Sequence, residues 1–329
     1  MRNVAFFWAI FSCFLCSSAW GDGAFKSIEV TTALTFPTRI AIDKSDAVWF
    51  IESNFNKIGR FQPEQGTFSE FSIPTSRALP GDITVSRRGQ VWITEMDANQ
   101  IGIFDPASGA FREYDIPTID SYPYKITADA EGNIWFTEFY GNKIGMFDLK
   151  KEEFTEYEIP TPASRPSGIT TDRKGRVWFI ETQGNKLGRL DPKDGAIVEF
   201  KLPSPFEAPG DVVIDESGVI WFGGRKGHSL IMFDTETERF DTFLIPNQGV
   251  SEALTVAEDG KIICTLITSN RIVLFNPKKK TFLEVDAVLG KSKPNGIDVD
   301  SKGNIWFADT VNNALFKMDR TMVRKLWEN

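Results

Sequence analysis

The stretch that decides the fold is residues 123–160, PYKITADAEGNIWFTEFYGNKIGMFDLKKEEFTEYEIP. Turn residues such as Gly132-Asn133 separate four short runs that are rich in β-branched and aromatic residues. These runs are residues 124–128, 134–137, 143–148 and 154–159. Alternating apolar and polar residues over such lengths are typical of antiparallel strands, and no helical periodicity is found here or elsewhere in the chain. The stretch therefore predicts a small four-stranded sheet.

The same stretch recurs along the chain, and two markers count its copies. Tryptophan recurs every 43 residues at Trp49, Trp92, Trp135, Trp178 and Trp221, the sixth step falls on Cys264, and Trp306 follows 42 residues later. Proline keeps the interval, with Glu252 at the sixth place. A four-stranded repeat of this length is one propeller blade, because it cannot bury both faces until neighbours stack on it. The sequence thus predicts an all-β, seven-bladed β-propeller of four-stranded antiparallel blades, starting near 37, 80, 123, 166, 209, 252 and 294, with the Trp-Phe pairs in the core between blades.

The two ends of the chain predict how the ring closes. Residues 25–30, FKSIEV, resemble the fourth strand of a blade, as in FSEFSI at 68–73, while the last repeat ends soon after its third strand. We expect the N-terminal strand to complete blade seven. Such a closure removes open sheet edges, which otherwise pair with other chains.

The first residues have the pattern of a secretory signal peptide. Arg2 precedes an apolar run over 4–15, and small residues follow up to Ala19. The run is too short to cross a bilayer, and no later stretch reaches the ~18 apolar residues that a transmembrane helix needs. We therefore predict a signal peptide over 1–21, cleaved near Ala19 to Gly21, a single propeller domain over 22–329, and a periplasmic or secreted location.

Cysteine usage and charge add further expectations. Cys16 leaves lipid attachment open, although Cys13 stands where a lipoprotein signal usually has leucine. Cleavage leaves Cys264 as the only cysteine, so no intramolecular disulfide can form. The net charge of −8, without a large cluster of Lys and Arg, argues against nucleic acid as a partner. We expect a monomer that binds a small-molecule ligand or an exported protein.

Propeller geometry predicts where a site lies, because the start of a blade's first strand and the end of its second strand lie at the same end of the ring. The second strands end in five acidic residues, Glu52, Glu95, Glu138, Glu181 and Asp309, whereas blades five and six have Gly224 and Ile267. The starts of the first strands add Arg39, Asp82, Lys125, Asp211 and Asn295. The sequence predicts an arc of five carboxylates around one mouth of the central channel.

Crowded carboxylates repel, which leaves three outcomes: raised pKa values, compensation by Arg39 and Lys125, or a bound cation. Oxygen ligands of this kind suit Mg²⁺ or Ca²⁺, for which the five acidic residues are the candidate ligands. The alternative is structural, because a glutamate repeated in most blades can bind backbone amides of the next blade. The sequence leaves both interpretations open.

His228 is the only histidine, and its place in the repeat is that of Asn56 in the first blade. Histidine suits proton transfer near neutral pH, so His228 is a catalytic candidate, although an isolated loop histidine is more often plain surface. One histidine and one mature cysteine do not supply the nitrogen and sulfur ligands of zinc. Serine-hydrolase, P-loop and HExxH motifs are absent from the sequence.

Four strings carry a resemblance to a known family. WFTEFYGNKIG at 135–145, EYEIPTP at 156–162, IPTPASRPSGIT at 159–170 and WFIETQGNKLG at 178–188 resemble the streptogramin B lyase family, also called the virginiamycin B lyase family. The resemblance covers essentially the whole mature chain. It implies a seven-bladed propeller and Mg²⁺-assisted opening of a cyclic depsipeptide antibiotic by elimination.

The resemblance also implies four functional residues: a histidine base, a second histidine that holds substrate, and two glutamates for the metal. In the last blade the family's E-P-H-G corresponds to KPNG at 293–296, so an ammonium replaces a metal carboxylate and an amide replaces the base. The substrate histidine corresponds to Ala253, after Glu252, and the second metal glutamate to Asp309 or Thr310. Since asparagine is no base at neutral pH and Lys293 repels a cation, we expect the family's fold without its elimination reaction.

Three functions remain open. The first is a non-catalytic propeller whose ligand face includes Arg39, Asp82, Lys125, Asp211 and Lys293. The second is a metal-dependent lyase or lactone hydrolase, because PNGI at 294–297 followed by WFAD is similar to regucalcin and gluconolactonase propellers; that similarity implies a metal site of Asn295, Asp211, Asp82 and Glu52. The third is a streptogramin lyase in which His228 is a relocated base. Asn295 and Asp309 are the other catalytic candidates.

Overall fold

A computed structural model describes residues 24–203, 210–224, 226, 228–288 and 290–328. The predicted signal peptide over 1–21, its cleavage site and Cys16 lie outside these residues, as does Pro209, where blade five was expected to start. The described residues form seven four-stranded antiparallel sheets, which confirms the seven-bladed propeller. No helix in this part of the chain is long and apolar enough to cross a membrane.

The first four blades follow one pattern, with consecutive strands paired in order from the channel outward. Blade one contains β2 (Pro37–Ile42), β3 (Val48–Glu52), β4 (Lys57–Gln62) and β5 (Thr67–Ser72). Blade two contains β6 (Pro80–Val85), β7 (Val91–Glu95), β8 (Gln100–Asp105) and β9 (Ala110–Asp115). Blade three contains β10 (Pro123–Ala128), β11 (Ile134–Glu138), β12 (Lys143–Asp148) and β13 (Glu153–Glu158). Blade four contains β14 (Pro166–Thr171), β15 (Val177–Glu181), β16 (Lys186–Asp191) and β17 (Ala196–Lys201).

The remaining blades complete the ring. Blade five contains β18 (Val212–Ile214), β19 (Val219–Gly224), β20 (Ser229–Asp234) and β21 (Arg239–Leu244). Blade six contains β22 (Ser251–Val256), β23 (Ile262–Leu266), β24 (Arg271–Asn276) and β25 (Thr281–Asp286). Blade seven contains β26 (Pro294–Val299), β27 (Ile305–Asp309) and β28 (Ala314–Met318), and its outer strand is β1 (Lys26–Glu29). β1 pairs with β28 from Lys26↔Lys317 to Glu29↔Ala314, which confirms the predicted closure.

The Trp-Phe pairs of the second strands form the core between blades, as predicted. Trp49 packs with Ile83, Ile93 and Phe104 of blade two, whereas Phe50 packs with Trp306 of blade seven. Successive side chains of a strand point to opposite faces, so each pair joins its blade to both neighbours. Both side chains of this pair are fully buried.

A glutamate on the outer strand also ties each of several blades to the one before it. In blade three, Glu156 accepts hydrogen bonds from the amide and hydroxyl of Thr118, at 3.0 and 2.9 Å, and from Lys143 Nζ at 2.8 Å. Glu113 and Glu199 make the same pair of bonds to Thr75 and Thr161. The repeated string E-Y-x-I-P-T therefore encodes a contact between blades.

The register of blade six differs from the predicted one by one residue. Ser251 pairs with Leu266 and Thr255 with Ile263, as Pro37 pairs with Glu52 and Ala41 with Trp49 in blade one. Ile263, not Cys264, therefore takes the tryptophan place, and Leu266, not Ile267, takes the glutamate place. The repeat interval of 42 residues therefore lies between Trp221 and Ile263. The loop that connects blades five and six is one residue shorter, and the strand pairing is unchanged.

One helix departs from the expectation that the chain has none. α1 (Arg320–Glu328) follows the last strand of blade seven. Met322, Val323 and Leu326 lie three to four residues apart and pack against the core between blades six and seven. The apolar contacts of α1 span only about one turn, so its helical periodicity is too short to detect in the sequence.

Candidate functional site

The end of the ring at which the first strands begin and the second strands end is called the top face here. It carries the loops 30–36, 73–79, 116–122 and 159–165 and the turns 53–56, 96–99, 139–142 and 310–313. The five acidic residues at the ends of the second strands all lie at this end, because each pairs with the first residue of its blade, as Glu138 does with Pro123. All five are fully buried, so they do not form an open arc.

The four glutamates of this set are buried and bind no backbone amide. Neither carboxylate oxygen of Glu52, Glu95, Glu138 or Glu181 accepts a hydrogen bond from a backbone amide, so the interpretation that they bind backbone amides of the next blade is wrong. Burial, reinforced by the charge of a nearby outer-strand glutamate, raises the pKa of Glu138 to about 8, and that of Glu52 to about 7. The pKa of Glu95 rises to about 8 and that of Glu181 to about 7 for the same reason. These carboxyls are held apart in separate blades.

Asp309 differs from the four glutamates because its carboxylate is bound. It accepts hydrogen bonds from the Ser292 hydroxyl and from the amides of Lys293 (3.3 Å), Val311 (2.9 Å) and Asn312 (3.0 Å). The Lys293 side chain is exposed beside this loop. Among the described residues, no group of three His, Cys, Asp or Glu side chains is arranged to hold a metal ion, and the Mg²⁺ or Ca²⁺ site remains a prediction.

The charged residues of the first strands meet across the central channel. Lys125 Nζ of blade three lies 3.1 Å from Asp211 of blade five and 3.7 Å from Asp82 of blade two. Arg39 Nη2 of blade one lies 2.7 Å from Glu252 Oε1 of blade six. Since both of the shorter pairs skip a blade, they can form only across the channel. We call these five residues the channel cluster.

Glycine in the skipped blades makes these long connections fit. Gly168 of blade four and Gly296 of blade seven stand at the place that the charged side chain occupies in blades one, two, three and five. A Cβ atom on Gly296 would lie 2.8 Å from the Arg39 Cα, and one on Gly168 would lie 2.9 Å from the Asp211 carbonyl carbon. The sequence predicted Arg39, Asp82, Lys125 and Asp211 at this face, but not their pairing.

The channel cluster is charged and leaves one donor unused. Arg39, Asp82 and Lys125 are more than nine-tenths buried, and three carboxylates face two cations. Burial raises the pKa of Asp82 against the opposing charge of Lys125. Burial disfavours the charge on Arg39, yet Glu252 and the other acids keep its pKa above the ordinary value. Arg39 Nη1 has no hydrogen-bond partner.

The corrected register moves one of the places implied by the family resemblance. Glu252 follows Ser251, as Asn295 follows Pro294, so Glu252 and not Ala253 stands at the place of the substrate histidine. The buried Oδ1 atom of Asn295, at the place of the base, has no hydrogen-bond partner. An acid bound to Arg39 and an amide therefore occupy the two places.

His228 holds the turn between the second and third strands of blade five. Its backbone has φ of 48°, and Asn56, Asn99, Asn142, Asn185, Asn270 and Asn313 occupy the same left-handed place in the other blades. Asn56 Nδ2 donates to the carbonyls of Ile73 and Thr75, and His228 Nδ1 lies 3.1 Å from the Gly249 carbonyl in a similar role. Asparagine adopts this conformation readily, which explains the recurrent N-K-x-G string.

Apolar side chains are exposed on one side of the top face, on the loops and turns of blades seven, one, two and three. Of the nine exposed large hydrophobic side chains in the described residues, seven belong to its loops and turns. We call them the apolar rim: Leu34, Phe36, Phe55, Leu79, Ile119, Tyr140 and Val311. The Tyr140 ring also packs against Tyr122, and the Arg165 guanidinium lies 5.0 Å from its centre. The repeat did not predict the rim, because the residues at these places vary from blade to blade.

These features define a class of protein: a closed seven-bladed propeller with a buried, charged channel and an apolar rim at one mouth. The sequence profile of the virginiamycin B lyase family matches residues 17–250, and the chain belongs to this family. A comparison with curated protein sequences finds no match.

Solved structures agree with this assignment. Virginiamycin B lyase from Staphylococcus aureus is 31% identical, with a TM-score of 0.84, over 89% of this chain and 98% of that one. A catalytically inactive variant of that enzyme, solved with quinupristin, is 30% identical over the same shares of each chain, also with a TM-score of 0.84. The fold is also shared with the extracellular domain of a hybrid two-component system from B. thetaiotaomicron, at 18% identity and a TM-score of 0.69 over 87% of this chain and 40% of that one.

Proposed function

We propose that this chain is an exported, non-catalytic member of the family that binds a compact amphipathic ligand on the top face. The observation that carries the proposal is the apolar rim, which lies on the same face of the ring as Arg39 Nη1 and Asn295 Oδ1, two polar atoms buried without partners. Exposed apolar side chains grouped at one face mark ligand or protein contacts. Buried polar atoms are normally hydrogen-bonded, so a donor and an acceptor left unpaired favour a ligand that supplies both.

The residues at the family's catalytic places argue against elimination. Asn295 stands for the base and cannot take a proton at neutral pH, and Glu252 is bound to Arg39 at 2.7 Å. Lys293 brings a positive charge to the place of a metal ligand. His228 is engaged with the Gly249 backbone in a blade-five turn. Fold alone does not carry activity over from a relative, so a binding role fits these residues better.

Equilibrium binding tests the proposal, with quinupristin as the probe because a family member has been solved with it. We expect saturable binding by calorimetry at micromolar to millimolar concentration. The Ile119→Ser/Tyr140→Ser variant should bind at least tenfold more weakly. Leu244→Ser is the matched control, because Leu244 is equally apolar and 72% exposed but lies on the outer strand of blade five. Equal weakening by the control, or no binding by the unchanged protein, would contradict a ligand of this class.

Chromatography of the same mixtures tests the non-catalytic part. Intact quinupristin should be recovered quantitatively after long incubation, with and without added Mg²⁺. Loss of the compound would overturn the absence of lyase activity. If that loss vanished in His228→Asn, the histidine would be a relocated base after all.

A further inference from the structure

A second repeated device lies at the opposite end of the blades. In five of them, an aspartate after the first strand accepts a hydrogen bond from the indole nitrogen of the core tryptophan. In blade five, Trp221 Nε1 donates to Asp215 Oδ2 at 3.0 Å, and the amides of Ser217 and Val219 donate to Asp215 Oδ1 at 2.9 and 3.0 Å. Trp49, Trp135, Trp178 and Trp306 make the same bond, at 2.8 to 2.9 Å.

The two other blades lack the aspartate in different ways. Blade six has Ala257 in its place and Ile263 in the tryptophan place, so the acceptor and the indole donor are lost together. Blade two has Ser86 but keeps its tryptophan. Trp92 is fully buried, and neither its Nε1 atom nor the Ser86 hydroxyl has a hydrogen-bond partner. A buried donor without an acceptor is costly, and here only blade two carries that cost.

The turn around Ser86 keeps the shape that holds the carboxylate in blade five. Ser86 N donates to the Gln90 carbonyl at 2.9 Å, as Asp215 N does to the Val219 carbonyl at 2.9 Å. The amides of Arg88 and Gln90 therefore stand where those of Ser217 and Val219 bind the carboxylate. With the indole of Trp92 they give three donors directed at one place.

A cavity beside Ser86 carries more cationic than acidic side chains on its wall. A cavity of about 60 Å³ between blades two and three reaches Ser86, and Arg87, Arg88 and Lys150 line it. The acidic side chains on its wall are Glu131 and Asp148, and the amides of Lys150 and Lys151 bind Asp148. Three cations thus outnumber two carboxylates around the opening.

We propose that blade two binds a small carboxylate anion, of the size of formate, between Trp92 Nε1 and the turn amides of Arg88 and Gln90. The anion takes the part that the aspartate side chain plays in the other blades. The site lies at the end opposite the top face, so a test of it is independent of the function proposed above.

The indole N–H signals in the NMR spectrum of the ¹⁵N-tryptophan-labelled protein test this site. Sodium formate should shift the Trp92 signal saturably, relative to sodium chloride at the same ionic strength, and leave the Trp49 and Trp221 signals unmoved. The Trp92→Phe variant assigns the signal. In the Ser86→Asp variant the built-in carboxylate should abolish the shift. An unmoved Trp92 signal, an equal shift in chloride, or an equal shift in Ser86→Asp would each overturn the proposal.

Thermal unfolding gives a second, independent measurement. Formate should raise the Tm of the unchanged protein above its value in chloride, and it should not do so for Ser86→Asp. The Asp215→Ser variant recreates the blade-two pair in blade five, and formate should recover part of its lost Tm. Equal formate effects on the unchanged protein and on Ser86→Asp would count against a carboxylate at this place.

Discussion

The Glu138→Gln variant should gain stability over the unchanged chain as the pH rises from neutral to alkaline. Glu138 is fully buried, and burial together with the charge of the neighbouring Glu156 raises its pKa from 4.5 to about 8. Between these two values the folded state holds a proton that the unfolded state has released. Stability from this group is therefore full below pH 4.5 and is lost as pH rises through 8. Glutamine is neutral throughout and has nearly the same shape.

The size of the effect follows from the same two pKa values. Each pH unit in the interval changes the free energy of unfolding by about 1.4 kcal/mol. Between pH 6 and pH 9 the unchanged chain should therefore lose about 3 kcal/mol relative to Glu138→Gln. Urea unfolding at several pH values measures this difference, with Glu158→Gln as the control, because Glu158 is exposed on the outer strand of the same blade. Parallel stability curves for Glu138→Gln and the unchanged chain would show that the carboxyl does not titrate in this interval.

Three other changes have defined outcomes. Ser86→Asp should raise the free energy of unfolding by about 1–3 kcal/mol, because it gives a buried indole its acceptor; a destabilised variant in urea titration would refute this. Arg39→Leu should cost about 3–5 kcal/mol by removing the cation that faces the largely buried Glu252 carboxylate, and Arg39→Leu/Glu252→Leu should recover most of that loss in the same assay. If the predicted Mg²⁺ or Ca²⁺ site exists, either ion should raise the Tm, and Asp309→Ala should remove the shift; an unchanged Tm in both ions would rule the site out.

Most of the fold could be predicted because the same pattern of four strands and their turns recurs along the chain. Local patterns of β-branched residues and turns placed the strands of blade three to within one residue of those observed, 123–128 against 124–128 for the first. Blade six has neither Pro nor Trp at the marker places, so a single cysteine gave a register wrong by one. α1 was not predicted because its few apolar residues are stabilised by packing against blades six and seven, which the local sequence does not reveal.

The candidate site was predictable in position and not in arrangement. Arg39, Lys125 and Asp211 were expected at one face, yet the pairing of Lys125 with Asp211 across a skipped blade depends on the ring's diameter and on Gly168. The glutamates were expected around the mouth and are instead buried between blades. A residue's place in a repeat gives the end of the blade at which it lies, but packing of the neighbouring blade decides whether water reaches it.

By itself, the sequence determined the number of blades, the closure by β1 and the absence of histidine from the base's place, because each depends on residue type and spacing along the chain. Only the tertiary structure decided that the channel charges pair with one another, that four glutamates are fully buried, and that Trp92 alone among the core indoles of blades one to five and seven lacks its acceptor. Those outcomes depend on distances between residues from different blades, and such distances are set when the ring closes.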